Sequence, residues 1–406
     1  MSPFAPRLYT AVLLLCAALG ARGEAPEGFA ACVSGLGEAA AAEGVGSSTR
    51  QAAMAATQFV PRVLELDRSQ PEFTTPFSRY FGLRVSEGRI AAGQQRFRER
   101  QSLLSQVYER SGVPGHYLVA FWGLETNFGS YLGKMPLLGS LATLACDPRR
   151  PTFFRQQWVA ATKLLDRGDL SFDRLEGSWA GALGHVQFMP SVYLSYAQDG
   201  DGDGRADLFG SVDDAMVSAG AFLQGLGWAR GERWGREVRL PEGFDYGLAG
   251  RGQKRPLSFW RAQGVRQADG GALPPGDLTA ALLVPSGHAG PAFLVYRNFD
   301  VIMGWNRSEF YALSVGILAD AIAEGRRLHR PPPAEELRLS MDQVRDLQTA
   351  LVARGHLDGE VDGLLGPATR AALARAEAEF GLIADGHPDA EAFAALGLTL
   401  ASPPQA

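Results

Sequence analysis

A proline-rich segment, HRPPPAEE at residues 329–336, divides the chain into two unequal parts. Proline fixes its backbone dihedral φ and lacks a hydrogen-bond donor, so a regular helix or strand does not continue through consecutive prolines. The segment is therefore predicted to be a linker between modules. With 406 residues and 46% hydrophobic composition, the chain can bury one large core before the linker and a small one after it.

The part before the linker, residues 28–328, is predicted to be mainly α-helical. The stretch RIAAGQQRFRERQSLLSQVYERSG repeats apolar residues at helical spacing until Gly112 ends the pattern. Short apolar runs at 278–303, separated by PSGHAGP, predict a strand pair. The fold class is therefore mainly α with a small β element.

The part after the linker, residues 337–398, is predicted to be a compact helical unit. One helix lies in SMDQVRDLQTALVARG and ends at Gly355. A second helix begins at Pro367 and runs to Phe380. We expect the tail after Leu400 to be disordered.

Residues 1–24 have the pattern of a secretion signal. Arg7 precedes the apolar run LYTAVLLLCAALG, and small residues follow around Ala21. The run is too short to span a bilayer stably. Leu15 precedes Cys16, where a lipoprotein signal has a small residue, so a lipid anchor in the membrane is the weaker alternative to secretion. We expect a soluble, extracytoplasmic mature protein.

Charge and cysteine content exclude some functions. The net charge of -5 comes from 39 basic and 44 acidic residues without long runs of one sign, which indicates no nucleic-acid partner. Without the signal two cysteines remain, Cys32 and Cys146. In an oxidising compartment a disulfide between them is favoured, and two unrelated buried thiols are the alternative. The chain has no CxxC pair, which argues against a metal bound by cysteine.

One carboxylate lies within the aromatic and glycine-rich stretch FWGLETNFG. On a helix, Glu125 shares a face with Phe121 and Trp122. A carboxyl group beside aromatic rings is harder to ionise, which suits an acid that donates a proton near neutral pH. The alternative is a buried glutamate paired with an arginine elsewhere in the fold, and this stretch alone does not distinguish the two.

The stretch DGDGDGRADLFGSVD has the spacing of a calcium-binding loop. Aspartates at alternate positions provide the oxygen ligands that a hard cation prefers. Position 12 of the loop is Gly210 instead of the usual glutamate, so the bidentate ligand has to come from nearby. We predict a structural Ca²⁺, with a solvated Asp-Gly turn as the alternative. The candidate ligands are Asp199, Asp201, Asp203, Asp207, Arg205 at the position that uses a backbone carbonyl, and Asp213 as the bidentate group.

Four blocks in order along residues 28–326 resemble the family of membrane-bound lytic murein transglycosylase B. They are FWGLETNFGSYLG, GSWAGALGHVQFMPS, the calcium-like loop and VIMGWNRSEFYALSV. The segment GHLDGEVDGLLGPATRAALARAEAEFGLIADG resembles the small three-helix peptidoglycan-binding domain of cell-wall enzymes, although Gly381 replaces its usual glutamine. The resemblance implies a lysozyme-like helical catalytic domain and a C-terminal three-helix domain, in a periplasmic monomer whose partner is the glycan strand of peptidoglycan.

The resemblance implies a carbon-oxygen lyase, an exotransglycosylase that needs no cofactor for catalysis. Glu125 matches the family's single glutamate, which protonates the β-1,4 glycosidic oxygen between N-acetylmuramic acid and N-acetylglucosamine. The same group then acts as a base on the muramoyl C6 hydroxyl, which leaves a 1,6-anhydro end.

Neutral polar groups beside aromatic faces suit a sugar, and the resemblance places seven residues at the cleft positions of the family, six of which match its residues while Trp305 replaces one. The seven residues are Tyr80, Ser178, Gln187, Phe188, Trp305, Asn306 and Tyr311. The chain departs from the family pattern at Trp305 and Ala221, where tyrosines are expected. Two alternatives are a hydrolase of lysozyme type, which needs a second carboxylate about 5 to 9 Å from Glu125, and a non-catalytic wall-binding protein.

Overall fold

The computed structural model describes residues 25–68, 75–276 and 278–400. The predicted signal at residues 1–24 and the tail after Leu400 lie outside them. The described residues form seventeen α-helices and seven short strands. The prediction of a mainly α protein with a small β element is therefore confirmed.

Fourteen helices lie before the linker in the described part of the chain. They are α1 (Phe29–Ala42), α2 (Ser47–Ala56), α3 (Pro61–Arg68), α4 (Phe77–Arg84), α5 (Glu87–Glu99), α6 (Gln101–Ser111), α7 (Gly115–Thr126), α8 (Leu137–Ala145), α9 (Pro151–Asp166), α10 (Pro190–Tyr196), α11 (Val212–Gly225), α12 (Leu257–Ala262), α13 (Arg297–Trp305) and α14 (Glu309–Glu324). None of the described helices is long and apolar enough to cross a membrane.

The helical pattern before Gly112 forms two helices, α5 and α6. Arg100 separates them with φ -115° and ψ 21°, outside the helical range. Gly112 follows α6 with φ 74°, a left-handed conformation that costs glycine little. The predicted stop is therefore correct, and the chain also bends once within the pattern.

Helix α7 runs through the core of the larger unit. Every residue of α7 is buried except His116 and Glu125, and the helix packs against α5, α6, α11 and α14. A helix that is apolar on all sides is stable only inside a protein. The predicted placement of Glu125 on a helix beside aromatic residues is thus confirmed, and the rigid core fixes its backbone.

The strands of the described residues are β1 (Met135–Pro136), β2 (Glu176–Gly177), β3 (Gly235–Arg239), β4 (Arg255–Pro256), β5 (Arg266–Gln267), β6 (Thr279–Leu283) and β7 (Ala292–Val295). Five of them form an antiparallel sheet beside the helices, in the order β4-β6-β7-β3-β5. The predicted strand pair is the hairpin of β6 and β7, in which Leu282 pairs with Leu294. Successive side chains of a strand point to opposite faces, so Phe293 joins the helical core while Leu294 packs in a second cluster with Trp260.

A disulfide joins the first helix to the end of α8. The sulfur atoms of Cys32 and Cys146 are bonded, and the two Cα atoms lie 6.0 Å apart. The favoured pairing is therefore confirmed. Because 114 residues separate the two cysteines, the bond restricts a long segment of the unfolded chain.

The C-terminal unit has its own core. Helices α15 (Met341–Ala353), α16 (Pro367–Glu379) and α17 (Ala390–Ala395) bury Leu347, Leu373 and Phe393 together. The predicted helix ends near Gly355 and Pro367 agree with α15 and α16. Ser340 and Gln343 form a reciprocal capping box at the start of α15, which satisfies two backbone donors there.

Polar contacts join the C-terminal unit to the larger one. The carboxylate of Asp385 accepts from the backbone N–H of His288 at 2.6 Å and lies 2.7 Å from its Nδ1 atom. Glu336 of the linker accepts from the backbone N–H of Ser78 at 2.7 Å and lies 3.4 Å from Nε2 of His387. The two units therefore contact each other through carboxylate and imidazole side chains.

Candidate active site

The chain turns sharply directly after α7. Asn127 and Phe128 have φ angles of 48° and 59°, a left-handed conformation that is uncommon for residues with a side chain. The hydroxyl of Thr126 donates to the carbonyl of His185 at 2.8 Å and accepts from the N–H of Gly129 at 3.0 Å. The last turn of α7, which carries Glu125, is thereby fixed to two loops.

Two side chains donate hydrogen bonds to one oxygen of Glu125. The indole N–H of Trp305 donates to Oε1 at 3.0 Å, and the hydroxyl of Tyr311 donates to the same atom. Trp305 is the last residue of α13, and Tyr311 lies in the first turn of α14. The half-buried carboxyl group is therefore held between the end of one helix and the start of the next.

Tyr311 remains a neutral donor over the working pH range of a protein. Burial raises the pKa of its hydroxyl well above the ordinary value, and the nearby charge of Glu125 and their hydrogen bond raise it further. The side chain is 4% exposed. Its position is fixed because Ser308 caps α14 and accepts from the N–H of Tyr311 at 3.2 Å.

Aromatic rings hold Trp305 in place. Its ring stacks on Phe121 with centroids 4.3 Å apart and lies 5.3 Å from both Phe188 and Phe222. Phe188 is only 2% exposed, so it contacts Trp305 from the buried core. Such pairs add stability beyond the burial of their area, and they keep the indole N–H directed at Glu125.

A second wall of the site is the loop that carries Ser178 and Gln187. A Cβ atom at Gly133 would lie 2.1 Å from the carbonyl oxygen of Gly177, so only glycine allows this close approach. The hydroxyl of Ser178 accepts from the N–H of Ala182 at 2.9 Å. The loop is therefore packed directly against the segment that follows α7.

Gln187 has a strained backbone and a fixed side chain. Its φ is 48°, and its Nε2 atom donates to the carbonyls of Leu132 and Gly184, each at 3.1 Å. A non-glycine residue in this conformation costs about 1 to 3 kcal/mol and persists only where its surroundings hold it. Strain of this kind is common at functional sites.

The predicted cleft residues differ in how closely they contact Glu125. Trp305 and Tyr311 bond to it directly. Asn306 caps the turn before α14 by accepting from the N–H of Ser308 at 3.1 Å, and Tyr80 is 5% exposed on α4. Their roles in substrate binding remain predictions.

Sequence reasoning missed His185. Its Nδ1 atom accepts from the indole N–H of Trp122 at 3.1 Å, one turn before Glu125. Burial lowers the pKa of the imidazole, so the neutral ring is available as an acceptor. The sequence feature that could have identified His185 is its position between Ser178 and Gln187 in the glycine-rich block.

Three predicted metal ligands lie together in the calcium-like loop. Carboxylate oxygens of Asp199, Asp201 and Asp203 lie within 4.8 Å of one another, on exposed side chains. Asp199 also accepts from the backbone N–H groups of Gly202 at 2.6 Å and Gly204 at 2.8 Å. Several carboxylate oxygens close together are the ligand type that Ca²⁺ takes, so the group fits this ion. Asp213 instead pairs with Arg100, with the joined atoms 3.2 Å apart.

Sequence reasoning also missed the neighbour of Asp213. Asp214 is 1% exposed, and its carboxylate accepts from the backbone N–H groups of Gly200 at 2.8 Å and Asp207 at 2.7 Å. Asp214 thus holds the loop in shape from the first turn of α11. Asp213, in the same turn, points toward Arg100.

Comparisons with known proteins show the family of the chain. Residues 28–320 match the family described as "Transglycosylase SLT domain". The chain belongs to this family. Residues 340–396 match "Putative peptidoglycan binding domain". The chain is therefore a lytic transglycosylase, a peptidoglycan-cleaving lyase of a family that needs no catalytic cofactor, and its expected lysozyme-like fold is confirmed.

Individual relatives support the family assignment. The chain is 31% identical to membrane-bound lytic murein transglycosylase B of Escherichia coli over 256 residues, which cover 61% of this chain and 68% of the relative. It is 43% identical to SltB3 of Pseudomonas aeruginosa in complex with NAG-NAM-pentapeptide, with a TM-score of 0.87 over 91% of this chain and 100% of that chain. Slt35 of Escherichia coli in complex with calcium is 26% identical, with a TM-score of 0.62 over 73% and 93%.

Proposed function

We propose that this lytic transglycosylase cleaves the β-1,4 bond between N-acetylmuramic acid and N-acetylglucosamine without water, with Glu125 as acid and then as base. The observation that carries the proposal is the convergence of two neutral donors on Oε1 of Glu125. The carbonyl oxygen of a protonated Glu125 and an oxygen of its carboxylate form can each accept the bonds from Trp305 and Tyr311. The carboxyl group therefore keeps one orientation in either protonation state.

In the first step, the protonated Glu125 transfers its proton to the glycosidic oxygen. The bond from this oxygen to C1 of the muramoyl ring breaks, and a neighbouring N-acetyl group stabilises the cationic centre at C1. The donors Trp305 and Tyr311 stabilise the carboxylate that results, because hydrogen bonds to the charged form favour it.

In the second step, the carboxylate removes the proton of the muramoyl C6 hydroxyl, and O6 bonds to C1. The product carries a 1,6-anhydro end, Glu125 is protonated again, and no water is consumed. A hydrolase of lysozyme type needs a second carboxylate to complete its reaction, whereas this sequence of steps uses one. Ser178, Gln187 and Asn306 are partly exposed, and we assign them to the sugar hydroxyls and amides.

Two further parts of the proposal concern the surroundings of the site. Asp199, Asp201 and Asp203 would hold a structural Ca²⁺ that neutralises the loop. Residues 337–398 would hold the wall while the larger unit cleaves it, after export to the periplasm by the signal at 1–24.

The test is the substitution Glu125→Gln, with Glu109→Gln on α6 as its control. Glutamine keeps the shape of Glu125 but donates no acidic proton, so the rate of release of soluble fragments should fall at least about a hundredfold. Glu109 is exposed and pairs with Arg230 at the surface, so its variant should keep the rate. Thermal unfolding should show both variants folded, and full activity of the folded Glu125→Gln protein would contradict the assignment.

A further inference from the structure

A polar cavity lies beside the end of α7, on the side of the α5 N-terminus. It has a volume of about 570 Å³. Its lining contains two guanidinium groups, two carboxamides and two hydroxyls, and no carboxylate among the described residues. The polar lining residues are Ser86, Arg89, Gln95, Arg96, Asn127 and Ser130.

The charges around the cavity favour a negatively charged ligand. The Nε atom of Arg89 is buried and has no hydrogen-bond partner among the residues that the structure describes, although its Nη1 atom donates to the carbonyls of Leu83 and Arg84. Arg96 pairs with Glu99 in a bridge that is about half exposed, so its guanidinium can exchange partners at little cost. The positive end of the α5 dipole adds to this potential, and the carboxylate of Glu87 in the first turn of α5 is paired with Arg327.

The cavity is close to the proposed catalytic group. Asn127 follows Glu125 by two residues, so their Cα atoms lie at most about 8 Å apart. A muramoyl unit held at Glu125 carries its peptide next to the cleaved bond. An extended peptide of five residues spans roughly 17 Å, so its carboxylates can reach the cavity.

We propose that this cavity binds a carboxylate of the peptide carried by the glycan strand, with Arg96 as its main charged partner and the carboxamide of Asn127 as a neutral donor. Asn127 donates one N–H to the hydroxyl of Ser130 and has a second N–H to give. The cavity thereby favours peptide-bearing strands over naked ones. This inference rests on the proposed function, because it takes the peptide to be attached to the sugar that Glu125 acts on.

The test compares Arg96→Gln with Arg98→Gln in the full-length protein. The two arginines are two positions apart on α5 and so face in nearly opposite directions; Arg98 lines a different cavity. Cleavage is measured on naked glycan strands and on strands with intact peptides. In a Glu125→Gln background, calorimetry then measures binding of NAG-NAM-pentapeptide and of the same molecule with every peptide carboxylate amidated.

Loss of one charge-assisted hydrogen bond should weaken binding of the charged pentapeptide roughly tenfold to a hundredfold in Arg96→Gln. The value of KM for peptide-bearing strands should rise by a similar factor, with kcat unchanged and naked strands cleaved as before. Amidation of the pentapeptide carboxylates should weaken ligand binding to the protein that has Arg96. It should not change ligand binding to the Arg96→Gln variant. Equal effects of Arg96→Gln and Arg98→Gln, or equal binding of the charged and amidated ligands, would overturn the inference. Failure of the wild type to cleave strands of either kind would instead count against the proposed function.

Discussion

Trp305 and Tyr311 lie 180 and 186 residues after Glu125 and bond to the same oxygen of it. The sequence placed both in the cleft through a family resemblance, as residues that bind substrate. Their contact with Glu125 depends on how α13 and α14 pack against α7, and no local pattern reports such packing. The aromatic environment of Glu125, by contrast, followed from the helical spacing of Phe121 and Trp122 alone.

Tyr311→Phe tests the role of the donated bond. The substitution removes only the hydroxyl, so the charged form of Glu125 loses one of its stabilising partners. We expect the rate to fall roughly tenfold to a hundredfold and the pH optimum to move to higher pH. A pH profile of cleavage measures both effects.

Tyr193→Phe is the matched control for that experiment. The hydroxyl of Tyr193 donates to the carbonyl of Ala206 at 2.7 Å and accepts from the N–H of Leu208 at 3.4 Å, so this variant loses the hydrogen bonds of another buried tyrosine hydroxyl. It should lose similar stability and keep its rate and pH optimum. Equal rate losses in the two tyrosine variants would show that Tyr311 matters for folding only.

Helices and strands with a strong local sequence pattern could be predicted, and those without such a pattern could not. The helix ends at Gly112, Gly355 and Pro367 follow from backbone restrictions of single residues. The hairpin of β6 and β7 follows from two short apolar runs, in which every strand residue except Thr279 is buried, whereas β4 and β5 are two residues long each and carry no readable pattern. β4 forms because β6 offers it an edge to pair with, and β5 forms in the same way at the edge of β3.

The calcium-like loop shows how one position within an element changes a function. Asp213 and Asp214 are neighbours in the first turn of α11 and point about 100° apart. Sequence spacing nominated Asp213 as a ligand, whereas it pairs with Arg100, and the buried Asp214 holds the loop backbone. Side-chain direction on a helix explains the difference.

Chelation and two substitutions test the metal site. Calcium at a large excess over its Kd should raise the unfolding midpoint of the wild type by a few degrees, and a chelator should reverse the rise. Asp201→Asn should abolish the calcium effect because it removes a charged ligand, while Asp213→Asn should keep it. A calcium effect that disappears in Asp213→Asn, or none in the wild type, would contradict this assignment.

Across the whole molecule, the two units have separate cores joined by polar contacts. The C-terminal core contains a buried acid, Glu377 on α16, which is 3% exposed and accepts from the N–H of Gly386 at 2.8 Å. Burial raises the pKa of Glu377 to about 8 from 4.5. The folded unit therefore keeps a proton that the unfolded chain releases at lower pH.

The stability of the C-terminal unit should consequently fall as pH rises from about 5 to about 8, because only the unfolded chain ionises Glu377 easily in this range. Glu377→Gln should remove this dependence and keep the bond to Gly386, while the exposed variant Glu360→Gln should retain it. Thermal unfolding at several pH values measures the effect. Since the cores are separate, cleavage of short soluble strands should be unchanged in both variants.

The most direct test of the one-carboxylate mechanism is mass spectrometry of peptidoglycan digested by the wild-type protein in water enriched in heavy oxygen. If Glu125 acts as acid and then as base, every new muramoyl end is the 1,6-anhydro form, one water lighter than a reducing end, and carries no label. New reducing ends that contain heavy oxygen would show that water attacks C1, and the proposed mechanism would be wrong.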